Sequence, residues 1–393
     1  MQLFAYFCSK NCEEVKYFGI FMLLLLCFGC GNGQQEKIAT PWGGVIGEDA
    51  SGPHFDLTDI EHSGELIALT LSGPDTYYDY HGRHLGTHYM LCQRWADHLG
   101  VRLRVEVCRD TMEMLSRLEA GEADVIAFPL TTDSLLPGWL LDSTKTQLMN
   151  SLREWYQPRL LAEVRNEELR LLKGGGVKRR VYAPMLNRAG GIISRYDKLF
   201  QQYSRIVGWD WRLMAAQCYQ ESTFDPMAES WAGAKGLMQI MPSTADEVGL
   251  APEDMYQPEK NIEAAARYMK KLDTRFSDIG DARERQDFVL AAYNGGYLHI
   301  RDAMTLAERD GKNPRRWDDV AYYVLHLSEP HYYQDPLVQY GYMRGSETYN
   351  YVKSIREQWR LYRGVKTAPG SSGPQKSHNE RHREKFQIQD VTQ

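Results

Sequence analysis

Glu221 is the residue whose type and position most invite a chemical reading. It ends the stretch "DWRLMAAQCYQE", where a dense apolar run from Trp211 to Tyr219 meets a loop carrying Phe224, Asp225-Pro226, Gly233 and Gly236. The C-terminal end of a helix carries partial negative charge, which disfavours a carboxylate there. Apolar neighbours, with Trp211, Phe224, Met238 and Tyr293 as the candidates, disfavour the ionised form further. Both effects are expected to raise the pKa of Glu221 and make it a proton donor suited to general acid–base work. Read alone, the position is better explained by a surface glutamate in an ordinary salt bridge. Of the neighbouring acids, Asp225 precedes a proline and reads as a turn former, and Glu229 stands further along the loop.

The elements that must position this residue are helices. From about residue 191 the hydrophobic spacing is helical throughout: "SRYDKLFQQYSRIVG" with Ser194 as its cap, "DWRLMAAQCYQES" with Asp210 as N-cap, "NIEAAARYMKKL", a buried helix ending in "AAYNGG", "HIRDAMTLAERDG", "WDDVAYYVLHL" and "SETYNYVKSIREQWRLY". Residues 64–172 read differently. "ELIALTL", "VRLRVEV" and "DVIAFPL" are expected strands. They alternate with a helix "GTHYMLCQRWADHLG", whose stripe is Tyr89, Cys92, Trp95, Ala96 and Leu99, and with a helix "TMEMLSRLEAGEA" stopped at Gly121. This β-α-β-α-β order, with "LEAGEADVIA" as its most telling part, resembles the first lobe of an extracellular solute-binding protein. "GWLLDSTKTQLMNSLREWYQ" resembles the strand and helix that close that lobe, so the second lobe is expected to be missing. A charged helix and a glycine-rich connector, residues 173–190, lead to the helical domain over 191–363. Residues 31–63 read as a linker, and the polar residues 364–393 as a disordered tail.

Before the linker, Lys10 and Lys16 precede "YFGIFMLLLLCFGC", which is short for a membrane span. The Gly29-Cys30 pair resembles a lipoprotein cleavage site, giving a signal over residues 1–30 and a lipid on Cys30. Cys27 and Phe28 depart from the usual lipobox, and an uncleaved anchor or a plain secretory signal are the alternatives. All three place the rest of the chain outside the cytoplasm. Of the other cysteines, Cys92, Cys108 and Cys218 remain in the folded part, either as free thiols or with a Cys92–Cys108 bridge. No spacing suits zinc, and His84 and His88 are read as surface histidines rather than metal ligands. A net charge of -6 gives no sign of a nucleic-acid partner. Twenty-four tyrosines and nine tryptophans suit either core packing or stacking on carbohydrate.

Several separate stretches of the helical domain resemble the lysozyme-like lytic transglycosylases: "ESTFDPMAESWAGAKGLMQIMPSTA", "QPEKNI", "AAYNGG" and "ETYNYV". Their wider frame, "YDKLFQQYSRIVGWDWRLMAAQCYQES" and "YGYMRGSETYNYV", looks closest to the membrane-bound lytic transglycosylase F family, which joins a solute-binding domain to this catalytic domain. The resemblance implies an α+β multidomain protein, a single α/β lobe followed by a mostly-α lysozyme-like domain. Its implied activity is cleavage of the β-1,4 bond between N-acetylmuramic acid and N-acetylglucosamine in peptidoglycan. Glu221 would act as acid and then base while the muramyl 6-hydroxyl attacks its own C1, with no cofactor and no metal. Ordinary glycosidases use two carboxylates, and a lone acid fits a reaction that needs no activated water. By motif, Ser222, Ser230, Met238, Gln239, Tyr293, Asn294 and Tyr351 are implied substrate-site residues, with Tyr351 near Glu221. For Ser230 a loop cap, and for Met238 core packing, are equally good readings, and Glu347 reads as structural. Ala265 departs from the family, which usually has Gly there. The implied partners are peptidoglycan glycan strands, a membrane reached through the lipid, and other cell-wall enzymes. The expected location is the periplasmic side of the cell envelope, at the outer membrane. The alternatives are a lysozyme-type hydrolase of the same bond, or a non-catalytic lipoprotein that senses solutes or muropeptides.

Overall fold

The structure is a computed structural model, and it describes residues 38–39, 45–46, 55–131, 137–174 and 192–363. The expected signal with Cys30, most of the linker and connector, and the polar tail lie outside these residues. The chain divides into two compact units, Met1–His54 and Phe55–Gln393. In the first, strands β1 (Ile38–Ala39) and β2 (Val45–Ile46) pair antiparallel. Everything below concerns the second.

Its first part is an α/β layer. Strand β3 (Glu65–Thr70) lies parallel to both β6 (Arg102–Val107) and β7 (Val125–Ile126), and β8 (Leu140–Leu141) pairs antiparallel with β7. The resulting order is β6-β3-β7-β8. The alternation of β3 explains why both faces are covered, since successive side chains point to opposite sides. Leu66 and Ala68 pack with Leu91, Trp95 and Trp139 on one face, and Leu69 packs with Met114, Leu118 and Ile126 on the other. The covering helices are α1 (Leu57–Ser63), α2 (Thr87–Leu99), α3 (Thr111–Glu119), α4 (Thr146–Trp155) and α5 (Pro158–Gly174).

Three expectations change here. The linker ends before residue 55, because α1 belongs to the lobe: Asp56 closes a capping box with Asp59 and also accepts from Gln147 N and Leu148 N, and Ile60 is fully buried. The buried stripe of α2 is Thr87, His88, Leu91, Cys92, Trp95 and Ala96, so Tyr89 and Leu99 sit at its edge. His88 is therefore a core residue, not a surface one. Its Nδ1 meets Trp139 Nε1 at 3.0 Å, and burial pushes its pKa down to about 4. Cys92, Cys108 and Cys218 are all free and buried, which decides between the two cysteine readings.

The second part is helical: α6 (Asp197–Val207), α7 (Trp211–Ser222), α8 (Pro242–Val248), α9 (Pro258–Arg275), α10 (Ala282–Gly295), α11 (Tyr297–Arg309), α12 (Trp317–His326), α13 (Pro330–Tyr333) and α14 (Gly345–Tyr362). Helix α7 is surrounded. It packs on α6 and α14, and Leu213, Met214, Ala215, Ala216 and Cys218 are at most 2% exposed. A helix apolar on most of its circumference belongs inside a core. Truncating Leu213 to Ala would cost about 2–5 kcal/mol. Asp210 caps α7 as expected, accepting from Arg212 N, and Trp359 Nε1 ties the same carboxylate to α14. Ser194 does not cap α6, which begins later, at Asp197. The Ser194 hydroxyl instead accepts from Tyr196 N and donates to Asp197 in the preceding turn.

Candidate active site

Helix α7 ends where Thr223 and Phe224 take left-handed φ angles of 54° and 63°. Two consecutive non-glycine residues in this region are costly. They end the helix after Ser222, leaving Glu221 on the last turn of α7. Asp225 then accepts from Met227 N, the turn role its Asp-Pro setting suggested.

The loop after α7 is held from four sides. Ser222 Oγ donates to Leu237 O at 2.7 Å, and Tyr293 Oη on α10 donates to Met238 O at 2.8 Å. Gln239 Nε2 donates to Ala228 O and Gly236 O. Asn261 on α9 is fully buried; its Oδ1 accepts from Met238 N, and its Nδ2 donates to Lys235 O and Met255 O. Gly236 is required by this packing: its φ is +81°, and a Cβ would stand 2.4 Å from Met255 O and 2.5 Å from Asn261 Nδ2.

A cleft of about 460 Å³ opens over Glu221, within the size range of small-ligand sites. Of the residues proposed from sequence, Glu221, Ser230, Gln239, Tyr293 and Asn294 line it. Tyr351 is 5% exposed and stands behind Glu221, donating its hydroxyl to Glu221 Oε1 at 2.5 Å. Ser222 and Met238 do not reach the cleft. Both are completely buried, Ser222 with its hydroxyl bonded to Cys218 O of its own helix and to Leu237 O of the loop, and Met238 because it packs in the core. Ser230 Oγ accepts from Ala234 N, so it is a loop cap that also faces the cleft. Asn294 Oδ1 accepts from Thr348 Oγ1 at 2.7 Å. Gln239 Oε1 is buried without a hydrogen-bond partner among the described residues.

Burial first, and then the Glu221 charge, raise both Tyr293 and Tyr351 well above the usual tyrosine pKa. They are therefore hydroxyl donors throughout the working pH range, one aimed at the loop and one at the carboxylate.

The other carboxylates on the cleft wall are Asp79 and Glu347, not the Asp225 and Glu229 that sit near Glu221 in sequence. Glu229 accepts from Tyr256 at the surface. Asp79 is paired with His84 Nδ1 at 2.5 Å. Glu347 accepts from Tyr80 Oη and Arg344 Nε, each at 2.8 Å, with His81 Nε2 at 3.5 Å. Burial alone would raise its pKa, but the bonds from His81 and Tyr80 and the Arg344 charge hold it down at about 2. Glu347 is four residues, about 6 Å of rise, from Tyr351 on α14.

Sequence reasoning missed the hairpin that brings these partners. Strands β4 (Tyr78–Tyr80) and β5 (Arg83–Leu85) pair antiparallel, with Tyr80 opposite Arg83. Both turn residues, His81 and Gly82, have positive φ, at 48° and 72°, as a two-residue type I′ hairpin requires. "YDYHGRHL" carries this signal: two short β-prone runs separated by a dipeptide ending in Gly. Asp79, Tyr80, His81, Gly82 and His84 all line the cleft. Among the described residues no group of His, Cys, Asp and Glu could hold a metal ion.

Residues 198–315 match the family model described as the transglycosylase SLT domain. The match spans Glu221, Tyr293 and Asn294 and stops before α14, which supplies Glu347 and Tyr351. A membrane-bound lytic murein transglycosylase F of Desulfosudis oleivorans is 42% identical over 163 residues, 42% of this chain and 35% of that one. The protein of that name from Salmonella paratyphi A is 26% identical over an alignment covering 78% of this chain and 82% of that one. Among solved structures, the 70 kDa soluble lytic transglycosylase of Escherichia coli is 26% identical, covering 43% of this chain and 24% of that one, at a TM-score of 0.29. An overlap that low carries no argument about the fold. The family match and the two relatives agree: the chain carries a transglycosylase SLT domain and is related to the membrane-bound lytic murein transglycosylases F.

Proposed function

We propose that this chain is a peptidoglycan lytic transglycosylase in which Glu221 is the single proton-transfer group. The observation that carries the reading is the arrangement around that residue. Glu221 lies on the cleft wall at the end of a buried helix with the Tyr351 hydroxyl on Oε1, while the other two carboxylates of the wall have partners of their own, Asp79 in His84 and Glu347 in Tyr80 and Arg344. The related proteins are named as murein transglycosylases.

The reaction follows from these groups. Protonated Glu221 gives its proton to the glycosidic oxygen as the bond from that oxygen to C1 of the muramyl ring breaks. The carboxylate so formed then takes the proton of the 6-hydroxyl as that oxygen bonds to C1, closing a 1,6-anhydro ring. One proton leaves Glu221 and one returns, and no water is consumed. Holding the internal nucleophile against C1 is a proximity effect rather than a demand for a strong base. Tyr351 orients the carboxylate. Asn294 offers its amide N–H to the acetamido carbonyl, Gln239 Oε1 accepts from a sugar hydroxyl or amide, and the Ser230 hydroxyl donates at the rim. Glu347, a second carboxylate of the wall, has its pKa held at about 2 by its partners, which makes it a weak base for activating a water.

In this reading Cys30 carries a lipid and the catalytic part faces peptidoglycan from the envelope membrane, with other cell-wall enzymes as further partners. The support is the sequence around Gly29-Cys30 and the membrane-bound description of the relatives. No helix among the described residues is long and apolar enough to cross a membrane. The test is digestion of purified sacculi by the wild type and by Glu221→Gln, with mass analysis of the soluble products. Anhydromuramyl ends from the wild type and none from the variant are expected. Reducing ends would make the enzyme a hydrolase, and undiminished release by the variant would remove Glu221 from the mechanism.

A further inference from the structure

Gln217 is a buried polar group beside the active site that the reaction as described leaves unused. It stands four residues before Glu221 on α7, so the two share a face of the helix. It is fully buried, and neither its Oε1 nor its Nε2 has a hydrogen-bond partner among the described residues. Leu213, Met214 and Ala216 beside it on α7 are apolar and equally hidden. An amide held in such a place destabilises the fold, and an apolar side chain of the same shape would remove that cost.

What the amide meets is Tyr351. Helix α14 packs on α7 and brings in the hydroxyl that donates to Glu221 Oε1 at 2.5 Å. Burial, the Glu221 charge and the bond to it, and Tyr293 all raise the Tyr351 pKa, whereas the Gln217 amide works in the opposite direction. That is the effect of an N–H aimed at the phenol oxygen. The oxygen still has lone pairs to offer after its hydrogen is given to Glu221. A donor on one side of a hydroxyl strengthens the bond that the hydroxyl gives on the other. Tyr293 on α10 and Cys218 on α7 also feel the Glu221 charge, but their own raised pKa values keep them neutral.

We infer that Gln217 is a positioning residue for the reaction: its amide N–H closes on the Tyr351 oxygen as negative charge appears on Glu221, so that Gln217, Tyr351 and Glu221 form one chain of donors ending at the carboxylate. The chain acts on the form of Glu221 that develops as its proton passes to the glycosidic oxygen, and a bond that strengthens there lowers the barrier. Gln217 is not among the residues that line the cleft, so its effect reaches the substrate only through the other two. This rests on the transglycosylase reading of the cleft and adds what tunes its acid.

The test compares the wild type, Gln217→Met, Tyr351→Phe and the double variant, each as the full chain acting on purified sacculi, with thermal unfolding measured alongside. Methionine keeps the length and helical fit of the side chain and removes the amide. A split between stability and activity is expected: a thermal midpoint equal to or above that of the wild type, and a kcat lower by about threefold at constant KM. With the amide gone Tyr351 is a weaker donor and the Glu221 anion is less favoured, so the alkaline limb of kcat/KM moves to higher pH. Asp79, His81, His84, Arg344 and Glu347 on the cleft wall are the same in both proteins, so the shift is read against an unchanged background. In the Tyr351→Phe background the same substitution changes neither kcat nor the limb, because the chain is already broken. A wild-type kcat for Gln217→Met would overturn the inference. So would a midpoint and an activity that fall together, which mark a merely structural residue, or an undiminished effect in the Tyr351→Phe background. Product ends are read separately. Reducing ends would sink the transglycosylase chemistry and leave the chain of donors, and anhydro ends with a neutral Gln217→Met would do the reverse.

Discussion

At the scale of the residue, the account turns on Glu221 and the hydroxyl behind it. Glu221→Gln removes both proton transfers, and turnover on sacculi should fall by roughly 10²–10⁴-fold, a typical worth of general acid–base catalysis, with the thermal midpoint little changed. Tyr351→Phe keeps the ring in its buried place and removes only the donor to Oε1. Loss of one hydrogen bond to a carboxyl group predicts a fall in kcat of about tenfold with KM nearly constant. An equal rise in KM would mean that Tyr351 binds substrate instead. Why Glu221 was legible and its neighbours only in part has a physical reason. The end of an apolar run marks a helix terminus, so an acid there stands out. Whether Ser222 or Met238 faces cleft or core depends on the rotation of one short loop, which neither residue type decides.

At the scale of elements, the loop from Ala228 to Gln239 is shaped by partners far along the chain. Asn261 is the main one, with three hydrogen bonds to that loop and to Met255. Asn261→Ala would leave a buried N–H and two carbonyls unmet. It should cost about 3 kcal/mol, measured by denaturant unfolding, and should lower activity through the loop rather than through contact with substrate. Asn261→Asp restores the acceptor for Met238 N but not the donors, so a partial recovery is expected. The sequence carried most of the helices, because their apolar spacing and the Asp210 cap are local signals. It missed the hairpin because Tyr78 to Leu85 spans only a few residues per strand, and its importance comes from a contact with Glu347 more than two hundred residues away.

At the scale of the molecule, lobe and helical part are joined by charge as well as packing. Glu347 has its pKa held near 2, against 4.5 for a free glutamate. A carboxylate with a lowered folded pKa stabilises the fold fully above the unfolded value and loses that contribution as the pH falls through the folded one. The wild type should therefore lose thermal stability between about pH 4.5 and pH 2 more steeply than Glu347→Gln, whose side chain does not titrate; parallel curves would show that the contact between the β4–β5 hairpin and α14 does not depend on the Glu347 charge. The general plan of an α/β lobe before a helical domain was legible from the alternation of strand and helix signals. That the helical domain caps the lobe was not, because it depends on the close approach of Gly341 to Ser72, which no local pattern encodes.

The central claim is that the nucleophile comes from the substrate and not from water. The most direct measurement is digestion of sacculi in water enriched in heavy oxygen, with mass analysis of the newly formed muramyl ends. The account predicts anhydro ends with no heavy oxygen incorporated. Heavy oxygen at C1 of those ends would contradict it.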